Sequence, residues 1–169
     1  MNLESSLRIV PDFPKPGIEF LDISPILSQP HLFNQLVQEM TIACQPYDFN
    51  KIVAIESRGF ILGAALAHAT NKGMVMVRKK GKLPGQTVQM TYDLEYGTDT
   101  IEMLPDSLKT GEKVLILDDV LATGGTAQAS CDLVKKLGGE ISACLFFIEL
   151  SFLKGREKLQ TPVESLIIK

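Results

Sequence analysis

The stretch that constrains this chain most is Val114-Leu-Ile-Leu-Asp-Asp-Val-Leu-Ala-Thr-Gly-Gly-Thr126. Residues 114–117 are apolar, a run of the length expected for one fully buried strand. Asp118 and Asp119 follow, then the small-residue turn Ala122-Thr123-Gly124-Gly125-Thr126. Residues 127–137 place Ala129, Leu133, Val134 and Leu137 on one helical stripe. Strand, acid pair, glycine turn and helix together make a phosphate cradle. The glycines let backbone approach a ligand closely, and N–H groups at the helix start point at an anion whose charge the helix dipole favours by about 0.3–1 kcal/mol. Thr123 and Thr126 add hydroxyl donors. The lysine that closes a nucleotide P-loop is missing, as is G-x-G-x-x-G spacing. Two carboxylates accept hydrogen bonds and attract cations, so the pattern suits a phosphorylated sugar, with phosphate on the turn and hydroxyls on Asp118 and Asp119. Residue types alone leave equally open a tight connection with two solvated acids at a strand end.

A second unit of the same kind lies upstream. Residues 51–56 read as a buried strand, Ser57-Arg58-Gly59 as a tight turn, and residues 60–70 as an Ala-rich helix. Its turn again offers N–H groups at a helix start, now beside Arg58. Residues 74–78 predict another strand, and residues 141–150 and 163–168 two more, the last at an edge. Residues 87–94 and 98–104 alternate and are rich in Thr and Tyr, which predicts a hairpin turning at Glu95-Tyr96-Gly97. Pro30 to Cys44 is amphipathic, with Leu32, Leu36, Met40 and Ala43 on one face. Short helices are expected over residues 2–9 and 153–159, and Pro11, Pro14 and Pro16 impose a stiff path between the first of these and residues 19–23. Alternating strands and helices predict an α/β fold: an open, mainly parallel twisted sheet with helices on both faces and the site at the C-terminal strand ends.

A chain of 169 residues fits one domain, 1–169, with a real core. A net charge of −3 gives no overall basic field for nucleic acid or a membrane surface, and the basic cluster Arg78-Lys79-Lys80-Gly-Lys82 is local, either a solvated loop or a polyphosphate contact. Three cysteines, Cys44, Cys131 and Cys144, are odd in number and lack C-x-x-C spacing, which argues for a reducing, cytoplasmic setting, with Cys131 and Cys144 as packing residues. No apolar run of about 18 residues is present. His31 and His68 read as surface polar residues.

The Leu-Asp-Asp-Val-Leu-Ala-Thr-Gly-Gly-Thr segment resembles the phosphoribosyl-diphosphate (PRPP) signature of the type I phosphoribosyltransferases. Phe13-Pro-Lys-Pro-Gly17, Phe20-Leu-Asp-Ile-Ser-Pro25, Glu56-Ser-Arg-Gly-Phe60, Arg78-Lys-Lys-Gly-Lys-Leu-Pro-Gly85, Tyr92-Asp-Leu-Glu-Tyr-Gly97 and Leu153-Lys-Gly-Arg-Glu-Lys-Leu159 resemble, in order, segments of its adenine-specific branch. The likeness spans nearly the whole chain.

The resemblance implies a purine salvage enzyme that converts PRPP and adenine to AMP and pyrophosphate. It implies Mg²⁺, held mainly by PRPP and water with Asp118 and Asp119 close by, and a homodimer. Residues 122–126 would hold the 5′-phosphate. Glu56, Ser57, Arg58 and Gly59 would form the pyrophosphate loop, with a non-proline cis peptide within residues 56–58. Glu19, Phe20, Leu21 and Leu150 would bind the base within an N-terminal segment, 1–28, and strand-end contacts. Many family members carry a basic residue where this chain has Leu21, so no side-chain contact is expected there. Residues 79–100 would be a mobile hairpin lid, with Arg78, Lys79 and Tyr96 as the lid's site residues. Glu95, Arg58 and Lys79 are the catalytic candidates, Glu95 meeting the base nitrogen N7. Transfer to another base, such as xanthine or guanine, and a PRPP-sensing regulator without catalysis are the rival readings.

Overall fold

The computed structural model describes residues 2–94 and 97–169. The chain separates into two compact units, residues 1–39 and 40–169. In the first, a 3₁₀ turn at Glu4–Ser6 precedes β1 (Arg8–Val10), which pairs antiparallel with β2 (Phe20–Asp22). This replaces the helix expected over residues 2–9. Asn2 Oδ1 accepts from the Glu4 N–H at 2.9 Å and caps the start of the turn, the backbone is already extended at Leu7, and Ile9 and Val10 find ladder partners in Leu21 and Phe20. The connection is tied by Gly17 N–H donating to Asp12 Oδ1 at 2.7 Å, with Phe13–Pro14 in cis. Asp22 then accepts from the Ser24 N–H and hydroxyl at the start of α1 (Ser24–Leu27). The next helix, α2 (Pro30–Cys44), has the bounds the sequence predicts, with Pro30 in its first turn, where a missing N–H costs nothing. Leu32, Leu36 and Met40 of its predicted face are buried.

The second unit is built on seven strands: β3 (Lys51–Ile55), β4 (Gly73–Lys79), β5 (Val88–Asp93), β6 (Thr98–Met103), β7 (Lys113–Leu121), β8 (Glu140–Glu149) and β9 (Val163–Ile168). Their order across the sheet is β5-β6-β4-β3-β7-β8-β9. The five strands from β4 to β9 in that order run parallel, and the β5–β6 hairpin adds an antiparallel edge through Arg78↔Glu102 and Lys79↔Ile101. Helices α3 (Arg58–Thr70) and α4 (Gly125–Lys136) are the crossovers. Side chains alternate across a strand, so β3 shows Ala54 to α3 and Val53 and Ile55 to the core beneath α4, which Val75, Val77, Ile116, Leu133, Val134 and Phe146 fill. Helices therefore cover both faces, as expected.

Two elements depart from the sequence reading by more than a residue or two at an end. β7 does not stop before the acids. It continues through Asp118 and Asp119 to Leu121, because the ladder to β8 continues through Val120↔Ile148 and Leu121↔Glu149. The helix expected over residues 153–159 is two 3₁₀ turns, Ser151–Leu153 and Gly155–Lys158, broken where Lys154 takes φ = 55°. Among the described residues, no helix is long and apolar enough to cross a membrane.

Candidate active site

Both strand–turn–helix units deliver their turns to the C-terminal ends of adjacent parallel strands, β3 and β7. Between these ends lies an open cavity of about 600 Å³. Glu56, Ser57 and Arg58 line it from the first turn, Arg78 and Lys79 from the end of β4, and Asp118, Asp119 and Thr126 from the second unit. A smaller cavity of about 80 Å³ adjoins it, lined by residues 120–127 and sharing Asp118 and Thr126. The predicted phosphate turn is thus a concave lining at the start of α4, where Gly124 stands at φ = 79° immediately before the first helical residue.

The acid pair sits on strand backbone, which separates its two members. Adjacent residues of a strand point to opposite faces, and the environments differ accordingly. Asp119 is buried, with Arg58 Nε in ion-pair contact with its Oδ2. That oxygen accepts no hydrogen bond among the described residues. Asp118 Oδ1 accepts from the Asp119 N–H at 2.8 Å. Enclosure of its carboxyl, and then the neighbouring Asp119 charge, push the Asp118 pKa well above the ordinary carboxylate range. Gly59 makes the closeness of the two units possible. A β-carbon there would stand 2.9 Å from Asp118 Oδ1 and 3.2 Å from the Leu117 carbonyl oxygen, so only glycine lets the first turn of α3 rest on β7.

Glu56, expected in the pyrophosphate loop, lines the large cavity. Its Oε2 accepts from Arg78 Nε at 3.1 Å and from the Lys79 N–H at 2.9 Å, binding the ends of β3 and β4 together. Burial alone would raise its pKa, but the Lys79 N–H and the Arg78 guanidinium outweigh it and hold the carboxyl below its ordinary range. Arg78 also donates to the Lys82 carbonyl and lies over the Phe60 ring. The peptide bond Glu56–Ser57 is cis, as the resemblance implies.

The hairpin reaches the site by residues the sequence did not single out. Tyr92 Oη lies 3.0 Å from Thr126 Oγ1, and Asp99 Oδ2 lies 3.4 Å from Lys79 Nζ. Both line the large cavity. Their signal was the strand alternation itself, which puts Tyr92 on the half-buried face of β5. Buried Glu102 anchors the other end by accepting from the Lys82 and Leu83 N–H groups and the Thr87 hydroxyl. Glu95 and Tyr96 lie outside the described residues. Leu150 follows β8 and donates its N–H to the Leu121 carbonyl at 2.9 Å, which fixes it beside the end of β7. Glu19, Phe20 and Leu21 belong to the N-terminal unit, where the Phe20 ring meets Phe13 edge-on at 5.2 Å. No group of three His, Cys, Asp or Glu side chains gathers as a metal cage among the described residues.

Chemically, the site offers two helix starts aimed at anions, cations at Arg58 and Lys79, and carboxylates that accept hydroxyls between them. Residues 31–165 match the model of the phosphoribosyl transferase domain. The chain is 49% identical over 167 residues to an adenine phosphoribosyltransferase of Rhodospirillum centenum, covering 99% of this chain and 98% of that one. The crystal structure of adenine phosphoribosyltransferase from Rhodothermus marinus superposes with a TM-score of 0.93 at 51% identity, over 99% of this chain and 96% of that one. The Saccharomyces cerevisiae enzyme, complexed with an imino-altritol bisphosphate and adenine, superposes with a TM-score of 0.92 at 42% identity, over 97% and 96%.

Proposed function

The chain belongs to the phosphoribosyl transferase family, and from that premise we infer that it moves the 5-phosphoribosyl group of PRPP onto adenine, giving AMP and pyrophosphate. The observation that carries this reading is the meeting of two helix-start turns and an acid pair around two adjoining cavities. That arrangement matches a substrate with phosphate at one end, diphosphate at the other and a ribose between.

The reaction is a substitution at the anomeric carbon: a base nitrogen forms the new bond as the bond to the diphosphate oxygen breaks. Positive charge develops on the sugar, and negative charge leaves with the diphosphate. Residues 122–126 and the start of α4 hold the 5′-phosphate and fix the ribose at one end. Asp118 and Asp119 accept from its hydroxyls. The N–H groups of residues 57–59, Arg58 and Lys79 face the departing diphosphate, and Glu56 holds Lys79 to that task through its backbone. Arg58 also neutralises Asp119, so one guanidinium links the ribose side to the leaving-group side. Glu95 serves as the acid or hydrogen-bond partner of the base. Base recognition is assigned to the backbone of Glu19 and Leu21, the Phe20 ring and Leu150, and residues 79–100 act as the lid.

Mg²⁺ fits this donor set. It prefers a few carboxylates plus phosphate oxygens and waters to an all-protein cage, and Asp118 and Asp119 are the residues that would meet it. When bound it would neutralise charge on the leaving diphosphate. The three free, buried thiols support work in a reducing compartment, the cytoplasm. A net charge of −3 supports small-molecule rather than nucleic-acid partners. A homodimer is the assembly the family leads us to expect, to be read by sedimentation.

The deciding experiment incubates the full chain with PRPP, Mg²⁺ and each of adenine, guanine, xanthine and uracil. AMP and pyrophosphate in equal amounts from adenine are expected. Turnover of another base in preference, or PRPP binding without any product, contradicts the reading.

A further inference from the structure

The phosphate turn is not held by its own sequence alone. Gly124 and Gly155, thirty-one positions apart by number, face each other through bare backbone. A β-carbon on Gly155 would stand 2.2 Å from the Ala122 carbonyl oxygen and 2.9 Å from the Gly124 nitrogen. A β-carbon on Gly124 would stand 2.4 Å from the Gly155 carbonyl oxygen. No real β-carbon tolerates such distances to backbone. We propose that Gly155 is a positioning residue for phosphoribosyl binding: its backbone forms the back wall against which residues 122–124 are set, and so fixes where the 5′-phosphate is held. This rests on the reading of residues 122–126 as the phosphate site.

Gly155 is not left to drift. Arg156, the next residue, reaches back to buried Glu149 with a fork: Nε to Oε1 at 3.0 Å and Nη2 to Oε2 at 2.5 Å. Its Nη1 donates to the Val163 carbonyl at 2.6 Å, and the Ser165 hydroxyl donates to Glu149 Oε2 at 2.7 Å. The second 3₁₀ turn is therefore clamped to the ends of β8 and β9 by a paired, two-point contact. The Leu150 N–H, bonded to the Leu121 carbonyl, stitches the start of the same segment to β7 one residue before the turn. From residue 149 to residue 156 the chain is a strut with one foot in the sheet and the other on the phosphate turn. A glycine is required at 155 for space, not for dihedral freedom, since its φ is not in the left-handed region. That distinguishes it from a turn glycine and explains why it stands inside a 3₁₀ turn that other residues would form better.

The experiment is calorimetric titration of the full chain with two probes, ribose 5-phosphate and magnesium pyrophosphate, alongside steady-state kinetics. Gly155→Ala is expected to weaken ribose 5-phosphate binding about tenfold or more, because displacements near 1 Å carry losses of that order. Pyrophosphate binding stays within about twofold, and KM for PRPP rises by a larger factor than kcat falls. Gly139→Ala is the control. It crowds Leu108 and Val134 side chains at 3.0 Å, at the far end of α4, and should lower the melting temperature with both affinities unchanged. A merely structural role for Gly155 would look like that control, and such a result overturns the proposal, as does equal loss of both probes. Should Gly155→Ala not fold, Arg156→Lys decides: it keeps the charge beside Glu149 but loses the fork. An increase of about threefold in the ribose 5-phosphate Kd supports the proposal, and no change overturns it. Thr126→Val separates the two readings. If it spares ribose 5-phosphate binding, the phosphate does not lie on this turn and both fall. If it weakens binding while Gly155→Ala does not, only the strut is refuted.

Discussion

Between β3 and α3 the chain is held at its turn by a carboxylate: Glu56 grips Arg78 and the Lys79 N–H. Between β7 and α4, among the described residues, no carboxylate has that role. There the turn stands on a left-handed Gly124 packed against the backbone of Gly155. The two units share a plan and the same helix-start chemistry, yet one is fixed by charge and the other by shape. The reason lies in what each must leave open. In the proposed reading the first turn faces a diphosphate with cations around it, so an internal anion can hold those cations in place without competing for the ligand. The second, in the same reading, offers its own N–H groups and hydroxyls to a phosphate, and a carboxylate bound to them would occupy the site. Backbone packing is the remaining way to make such a turn rigid. The comparison gives the site two kinds of vulnerability, electrostatic on one side and steric on the other.

The largest expected effect strikes what the two turns share. Asp118→Asn with Asp119→Asn should lower kcat/KM for PRPP by about 10³-fold or more, the scale on which removing buried groups aimed at a reacting centre acts. Near-normal turnover in that double variant would remove both acids from the site. Next is the steric turn. Gly124→Ala combines a left-handed backbone, costing about 1–2 kcal/mol for a residue with a β-carbon, with the contact to Gly155. Thermal melting should show the loss of stability, and PRPP affinity should fall more than pyrophosphate affinity. Equal losses would erase the contrast between the turns. Glu95→Leu, at the base rather than at either phosphate end, should reduce kcat by about 10²-fold, the usual size of a proton-transfer contribution. Turnover at the wild-type rate would free Glu95 from that role.

A smaller and reversed signature is expected on the charged turn. Glu56→Gln keeps the shape and removes the anion, so it should weaken pyrophosphate binding by about threefold to tenfold while sparing ribose 5-phosphate, as a hydrogen bond to a charged group is worth about 1.5–3 kcal/mol at most. The pH dependence of stability sharpens the same point. Glu56, Glu102, Glu112 and Glu149 all have folded-state pKa values held below the ordinary 4.5. Below that ordinary value the unfolded chain binds more protons than the folded one. Their contribution is therefore complete above about pH 4.5 and is lost as pH falls through the depressed folded values. Asp118, with its pKa raised, contributes in the opposite sense as pH falls from that raised value toward 3.8, so the glutamates are read as a difference: the gap between the wild-type and Glu56→Gln midpoints should be constant from neutral pH down to about pH 5 and narrow below it. A gap that widened on acidification would contradict the assignment.

Much of this architecture is legible in the residues. The buried runs expected at 51–56 and 114–117, the stripe of α4 and the proline that opens α2 each follow from local rules, and the structure has them within a residue of where periodicity and capping put them, β3 ending at Ile55 and β7 running on past 117. What was not legible depends on partners distant in sequence. Asp118 and Asp119 look like the end of a strand because charged residues seldom continue a buried one. They remain in β7 because β8 offers a ladder that far, and nothing at 114–121 reports the length of its neighbour. Glu56 reads as one residue of a loop, and nothing near it announces Arg78 and the Lys79 N–H, more than twenty residues on, as the partners of its carboxylate. Tyr92 and Asp99 looked like ordinary hairpin residues, and only the docking of β5 and β6 beside α4 and β4 gives them Thr126 and Lys79 as neighbours. Gly155 reads as an indifferent member of a short helix, since its reason for being glycine is thirty residues away.

The most direct measurement is a crystal structure of the full chain with AMP bound. The account predicts the phosphoryl group seated on residues 122–126 at the start of α4, with the ribose hydroxyls toward Asp118 and Asp119. A phosphoryl group found instead at residues 57–59, or away from both turns, would contradict it.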